Sequence, residues 1–139
     1  MRHLRDRVLL LPACKPDRVW HYLCAADIFA FPSHEEGMPN SLLEAMIMGI
    51  PAIAFAIPPV REIEAGTGAL ITVPTLNTEL FSEAILRLAA SPAQRIYIGE
   101  RGRSRVMDRF MVQKNMAEVV ERLAHLVRQR RTSSRGETY

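Results

Sequence analysis

The sequence has few of the residues that cross-link small secreted or metal-dependent proteins. It contains two cysteines among 139 residues, and they form no CxxC pair, which excludes a disulfide framework. The set Cys14, His21, Cys24 and His34 fits no common zinc spacing, so we predict no bound metal. We expect both thiols to be buried and inert.

Long apolar runs are missing as well. None approaches the roughly 20 residues that cross a bilayer, and the first residues, Met-Arg-His-Leu-Arg-Asp-Arg, lack the apolar centre of a signal peptide. The composition is 48% hydrophobic and 24% charged, as in ordinary globular proteins. We therefore expect a water-soluble cytoplasmic domain.

The net charge of +3 is modest, and its excess lies near the C-terminus at Arg128, Arg130, Arg131 and Arg135. A solvated helix end that runs into a flexible tail, residues 132–139, accounts for this cluster. The alternative is attraction to an anionic surface. Of such surfaces we expect weak contact at the membrane periphery and no nucleic-acid partner.

Short apolar runs alternate with helical patterns in the first half of the chain. Strands are predicted at 7–12, 27–32, 51–55 and 69–73, and helices at 17–26 and 41–48. Strands separated by helices pair in parallel, so the fold class is α/β.

The second half is predicted to be mainly helical. Ala56–Val60 is expected to be an extended loop because each proline disfavours helix in its predecessor, with one helical turn following at 61–64. Thr78 is expected to cap the next helix, and Pro92 to open a further helix toward Phe110. A last helix, 112–131, completes a helical C-terminal extension.

The turn between the strand at 27–32 and the helix at 41–48 carries most of the candidate chemistry. Ligands of open α/β sheets bind at such turns. Glu36 lies on this turn beside Gly37, which allows close backbone approach. Two interpretations of Glu36 stay open: it is a solvated acid on the loop, or it contacts a ligand. Glu35 is expected to be only a solvated acid.

Glu44 lies on a helix that is apolar on nearly every side. A carboxylate there needs a partner. One candidate is the helix dipole, if Glu44 is in the first turn. The other is a ligand with several hydroxyl donors, such as a ribose.

The start of the same helix is a candidate anion site. Asn40 is predicted to be the N-cap, which leaves the N–H groups of Ser41, Leu42 and Leu43 pointing outward. Such a site suits phosphate. With a carboxylate on each side, it could hold a sugar nucleotide by the hydroxyls at both of its ends.

Other catalytic signatures are absent, so no residue is assigned a certain catalytic role. Gly66-Thr-Gly68 lacks the third glycine of a dinucleotide fingerprint and precedes a strand. There is no P-loop and no nucleophile elbow, and the four aspartates form no paired metal motif. His21 is expected to be packed or at the surface, and His34 is nearer to the turn.

Four segments together closely resemble the C-terminal domain of family-four retaining glycosyltransferases of the GT-B fold. They are Ala25–Ser33, Glu36–Met46 (Glu-Gly-Met-Pro-Asn-Ser-Leu-Leu-Glu-Ala-Met), Met48–Pro51 and Val60–Ile63. Glu36 and Glu44 match the family's E-x7-E signature. The resemblance covers roughly residues 7–127 and implies a Rossmann-like parallel sheet.

By this resemblance the chain would support retaining, hexosyltransferase-type transfer from a UDP-sugar or GDP-sugar, without a metal. The implied roles are donor-sugar binding at Glu36, Gly37, Met38, Pro39 and Asn40, diphosphate binding at the backbone of Ser41, Leu42 and Leu43, ribose binding at Glu44, and a base-side loop at Ala13, Cys14 and Lys15.

The chain also departs from the family's pattern. Position 11 is leucine where the family often has glycine, and the family's Arg/Lys pair and acceptor-binding N-terminal domain would lie upstream of this sequence. We therefore expect residues 1–131 to be a partial nucleotide-sugar-binding domain, a fragment inactive alone, whose N-terminal acceptor domain could act in trans. The alternative is a non-catalytic partner-binding protein with the same fold.

Overall fold

The computed structural model describes residues 7–112, 115–117 and 119–121. Three parallel strands form its sheet in the order β1, β2, β3: β1 is Phe29–Phe31, β2 is Ala52–Phe55 and β3 is Ile71–Val73. Ala30 lies opposite Ile53 in the β1–β2 pairing, and Ala54 lies opposite Thr72 in the β2–β3 pairing. The predicted strands at 27–32, 51–55 and 69–73 are thus confirmed with shorter bounds.

Five helices with assigned bounds surround this sheet. They are α1 (Pro16–Cys24), α2 (Asn40–Ile47), α3 (Pro58–Glu64), α4 (Thr78–Ala90) and α5 (Pro92–Arg109). The helices predicted from 17, 41 and 92 are confirmed. Beyond α5, residues 115–117 and 119–121 are helical.

The central strand β2 is the middle of the hydrophobic core. All four of its residues are buried, which explains why its sequence is continuously apolar rather than alternating. Leu42 and Met46 of α2 and Leu88 of α4 pack in the same cluster. The core therefore fixes α2 directly against the sheet.

Two glycines let α5 approach its neighbours closely. A Cβ at Gly99 would collide with the carbonyl oxygen of Gly49, just after α2, and one at Gly102 would lie 2.9 Å from the carbonyl oxygen of Ala69. These contacts involve backbone atoms, which cannot rotate away. The C-terminal end of α2 is consequently held by a backbone-to-backbone contact.

The strand predicted at 7–12 is wrong, since the structure assigns no strand there. Val8, Leu9, Leu10 and Leu11 are instead between 48% and 89% exposed. A parallel strand needs ladder hydrogen bonds to a neighbour, and an apolar run specifies no partner. The expectation of buried thiols is also wrong, because Cys14 and Cys24 are both exposed.

The loop predicted at 56–60 is wrong in its second half, because α3 begins at Pro58. Prolines are tolerated in the first helical turn, where their missing N–H would have no partner anyway. Ile57 takes the extended conformation that a residue before proline prefers, with ψ of 158°. The proline pair therefore starts a helix.

The cap of α4 also differs from the prediction. Asn77, not Thr78, is the N-cap, and its side chain accepts a hydrogen bond of 3.0 Å from the N–H of Leu80. Leu76, just before it, has a positive φ of 65°.

Some expectations fall on residues that are not described, namely the arginine cluster at 128–135, the end of the helix predicted to reach 131 and the tail at 132–139. Within the described part of the chain, none of the helices has both the length and the apolar character needed to cross a membrane.

Candidate functional site

The turn that joins β1 to α2 lies at the carboxyl edge of the sheet. His34, on this turn, has its ring centroid 6.2 Å from that of Phe55, the last residue of β2. The turn therefore lies beside the carboxyl ends of two neighbouring strands, which is where open parallel sheets bind ligands.

Glu36 is exposed on this turn and has one side-chain partner among the described residues. The hydroxyl of Ser33 lies 2.9 Å from Glu36 Oε1 and donates to it. The same hydroxyl is 3.2 Å from the carbonyl oxygen of Glu35. Ser33 was not singled out from the sequence, although the Ser-x-x-Glu pattern, which also marks capping boxes, could have indicated it.

The residues after Glu36 differ in exposure. Gly37, Asn40 and Met38 are exposed, Met38 to 56%, whereas Pro39 is fully buried. Gly37 has a negative φ, and a Cβ placed on it would meet no described atom within 4 Å. Neither backbone conformation nor packing within the described residues requires glycine at this position.

The start of α2 differs in detail from the prediction. The N-cap is Pro39, and Asn40, the predicted cap, is the first helical residue. The N–H groups of Leu42 and Leu43 both donate to the carbonyl oxygen of Pro39 at 3.1 Å. Among the three predicted amides, the N–H of Ser41 has no acceptor in the described part of the chain and is the one open to a ligand.

Glu44 is the fifth residue of α2, so it lies outside the first turn, and the dipole interpretation of this acid is wrong. The buried residues of the helix are Leu42, Ala45 and Met46. At about 100° per residue, Glu44 points roughly 200° away from Leu42.

The Glu44 side chain is half-buried. It makes no hydrogen bond or ion pair with the described residues, and no buried side-chain oxygen among them lacks a partner, so its carboxylate reaches solvent. A half-buried acid without a partner among the described residues is available to a hydroxyl donor.

The predicted base-side loop is exposed at Ala13, Cys14 and Lys15. Lys15 is the N-cap of α1. No hydrogen bond among the described residues joins this loop to the turn at 33–44. The structure thus brings Glu36, Ser41 and Glu44 onto one turn and helix but does not tie the loop to them.

A separate cavity of about 530 Å³ lies at the opposite end of the sheet. Its lining includes Asp27 and Pro51, which precede β1 and β2, together with Arg95 of α5. None of the predicted site residues lines it. The described residues contain no group of three or more His, Cys, Asp or Glu side chains that could hold a metal ion, and His21 is exposed on α1.

Comparison with known proteins shows the family of the chain. The family model "Glycosyl transferases group 1" matches residues 1–105. The chain belongs to this family. It is 28% identical over 130 residues to the amylovoran biosynthesis glycosyltransferase AmsK of Erwinia amylovora, covering 87% of this chain and 32% of that protein.

Solved structures show the same fold. Sucrose-phosphate synthase from Thermosynechococcus elongatus superposes with a TM-score of 0.76 at 27% identity, over 87% of this chain and 31% of that one. The C-terminal domain of a glycosyl transferase group 1 protein from Francisella tularensis gives a TM-score of 0.67 at 20% identity, over 74% and 53% of the two chains. The expected fold, a Rossmann-like sheet as in the C-terminal half of GT-B glycosyltransferases, is confirmed.

The matched relatives are much longer than this chain. It spans about a third of the glycosyltransferase AmsK and of sucrose-phosphate synthase, at 32% and 31% of their lengths.

Proposed function

We propose that this chain is the nucleotide-sugar-binding half of a retaining glycosyltransferase. In this proposal the Glu36 carboxylate accepts hydrogen bonds from donor-sugar hydroxyls, and the Glu44 carboxylate accepts them from the ribose. Membership of the glycosyl transferases group 1 family supports sugar transfer in general. The exposure of Glu36 on the turn and the half-buried, unpartnered carboxylate of Glu44 on α2 support the finer assignment.

The start of α2 lies between the two acids and would face the diphosphate. The free N–H of Ser41 and the positive end of the helix dipole favour negative charge there. When the sugar leaves, the charge that develops on the diphosphate would be stabilised by these fixed dipoles, with no resident metal in the proposal.

In this proposal, transfer also needs a basic pair that faces the diphosphate and a domain that binds the acceptor. We propose that an acceptor-binding domain, in trans or in a longer polypeptide, completes the site and that the chain alone transfers no sugar. Incubation of the purified chain with UDP-sugars, GDP-sugars and a panel of acceptors should yield no glycoside. Robust turnover by the chain alone would contradict this part of the proposal.

The observation that carries the nucleotide assignment is the half-buried, unpartnered carboxylate of Glu44. Calorimetric titration with UDP and GDP should give saturable binding of one of them, weakened about tenfold or more in Glu44→Ala, since hydrogen bonds to charged groups contribute about 1.5–3 kcal/mol. Glu83→Ala, an exposed acid on α4, is the matched control and should bind as the parent does. Equal affinities for all three proteins would contradict the assignment.

A second candidate is a non-catalytic protein that binds a partner chain. The exposed apolar residues at 8–11 favour it, because contiguous exposed apolar surface marks interaction sites. A folded chain that binds neither UDP nor GDP would support this candidate over the first.

A further inference from the structure

We propose that Ser33 is a positioning residue that holds the Glu36 carboxylate ready for the donor sugar; this inference rests on the proposed function. The hydroxyl of Ser33 lies 2.9 Å from Glu36 Oε1. This is the only side-chain hydrogen bond that Glu36 makes within the described residues. Among the described residues, Ser33 is therefore the side chain that can orient the Glu36 carboxylate through a hydrogen bond.

Ser33 is better fixed than the acid that it contacts. It follows β1 by two residues and is half-buried, whereas Glu36 is exposed. Its Oγ also lies 3.2 Å from the carbonyl oxygen of Glu35, so the hydroxyl is held close to the backbone of the turn. The hydrogen bond from Ser33 to Glu36 links the end of β1 to the tip of the turn. It therefore restricts the motion of the Glu36 side chain.

The chemical consequence concerns rotamers and lone pairs. An exposed glutamate loses much side-chain entropy when it is fixed by a ligand, and a prior hydrogen bond removes part of that loss before binding. Oε1 accepts from Ser33, and Oε2 has no donor among the described residues, so both of its lone pairs are available for sugar hydroxyls. A donor hydroxyl at a carboxylate also makes a charge-assisted hydrogen bond, which is stronger than a neutral one.

A purely structural role for Ser33 would have different consequences. If the hydroxyl only stabilised the turn through the Glu35 carbonyl, its loss would weaken every interaction of the turn and of the helix start that follows. Binding of the nucleotide alone would then fall together with binding of the nucleotide sugar. The ratio of the two affinities separates the two roles.

The test is calorimetric titration of the full chain with UDP and UDP-glucose, and with GDP and GDP-mannose. Ser33→Ala should lower the affinity for the sugar form about three- to tenfold, as expected for one hydrogen bond, and leave the affinity for the nucleoside diphosphate unchanged. Ser33→Thr keeps the hydroxyl and should restore the ratio. Ser82→Ala removes an exposed hydroxyl that bonds a backbone carbonyl on α4 and should change neither affinity.

A double-mutant cycle shows whether Ser33 acts through Glu36. In a Glu36→Ala background, Ser33→Ala should have no further effect on the ratio. A persisting effect, an unchanged ratio in Ser33→Ala, or equal losses for both ligands would overturn the inference and leave the nucleotide site intact. A parent chain that binds neither nucleotide would instead overturn the proposed function itself and this inference with it.

Discussion

The two ends of α2 differ in how closely they are packed. At the C-terminal end, Gly49 is in contact with Gly99, which has no room for a side chain. Before the N-terminal end of α2, a Cβ on Gly37 would meet no described atom within 4 Å, and the φ of Gly37 is negative. The fold requires glycine at position 99, whereas no contact among the described residues requires glycine at position 37.

This difference separates stability from function along a single helix. The packed end of α2 is buried against β2 and α5, and its substitutions should appear in the free energy of unfolding. Toward the open end, Glu36 and Ser41 are exposed and Glu44 is half-buried. Substitutions of these residues should change the affinity for the ligand.

Gly99→Ala should have the largest effect on stability. The added Cβ would collide with the backbone of Gly49, and overpacking of this kind costs about 1–3 kcal/mol or more. Urea denaturation followed by circular dichroism measures the loss. A free energy of unfolding within about 0.5 kcal/mol of the parent would show that the packed end is not as tight as described.

Glu44→Leu should stabilise the chain and weaken its binding of UDP or GDP. The acid is half-buried and has no partner in the described chain, so an apolar replacement should raise the free energy of unfolding by about 0.5–2 kcal/mol, the range of single stabilising substitutions. The same denaturation experiment and a UDP and GDP titration check both parts. A destabilised variant would indicate that Glu44 supports the fold rather than a ligand.

Leu76→Gly should raise stability by a smaller amount. Leu76 is 68% exposed and has a φ of 65°, a conformation that costs a residue with a Cβ about 1–2 kcal/mol. Part of the gain is offset by the greater freedom of glycine in the unfolded chain, so we expect a net gain of about 0.5–1 kcal/mol. Thermal melts of the variant and the parent measure the difference in Tm. A lowered Tm would show that the leucine side chain makes a contact that stabilises the fold by more than the backbone strain destabilises it.

Gly37→Ala should be nearly silent in stability, within about 0.5 kcal/mol, because its Cβ would meet open space. If the turn lines the donor sugar, the methyl group should lower affinity for UDP-glucose or GDP-mannose and leave UDP or GDP unaffected. A variant that binds the sugar forms as the parent does would place the sugar elsewhere.

Much of the fold could be predicted because local pattern and tertiary structure agree. The run 52–55 is apolar at every position, and it became the central strand, buried throughout. The run at 8–11 is also apolar at every position but forms no strand, because the apolar pattern does not specify which neighbour supplies the ladder hydrogen bonds. Sequence periodicity thus predicted burial where a partner strand exists and failed where none is described.

The candidate site was predicted in its residues but not in its geometry. The placement of Glu36 on a strand-to-helix turn and of Glu44 on the helix that follows was predicted from the pattern. The helix start shifted by one residue, from Asn40 as cap to Pro39, and this shift decides which amides are free and whether Glu44 lies in the first turn. Ser33 was not predicted because a serine on a turn can have many roles, and its hydrogen bond to Glu36 is visible only in the structure.

Amide chemical-shift mapping of the labelled chain with UDP and GDP shows whether the nucleotide binds at the turn between β1 and α2. Shifts should be concentrated between Ser33 and Glu44, on the turn and α2, with little change at Asp27, Gly49 and Arg95 beside the cavity at the opposite end of the sheet. Saturable shifts at that cavity, with none on the turn and the start of α2, would contradict the proposed site.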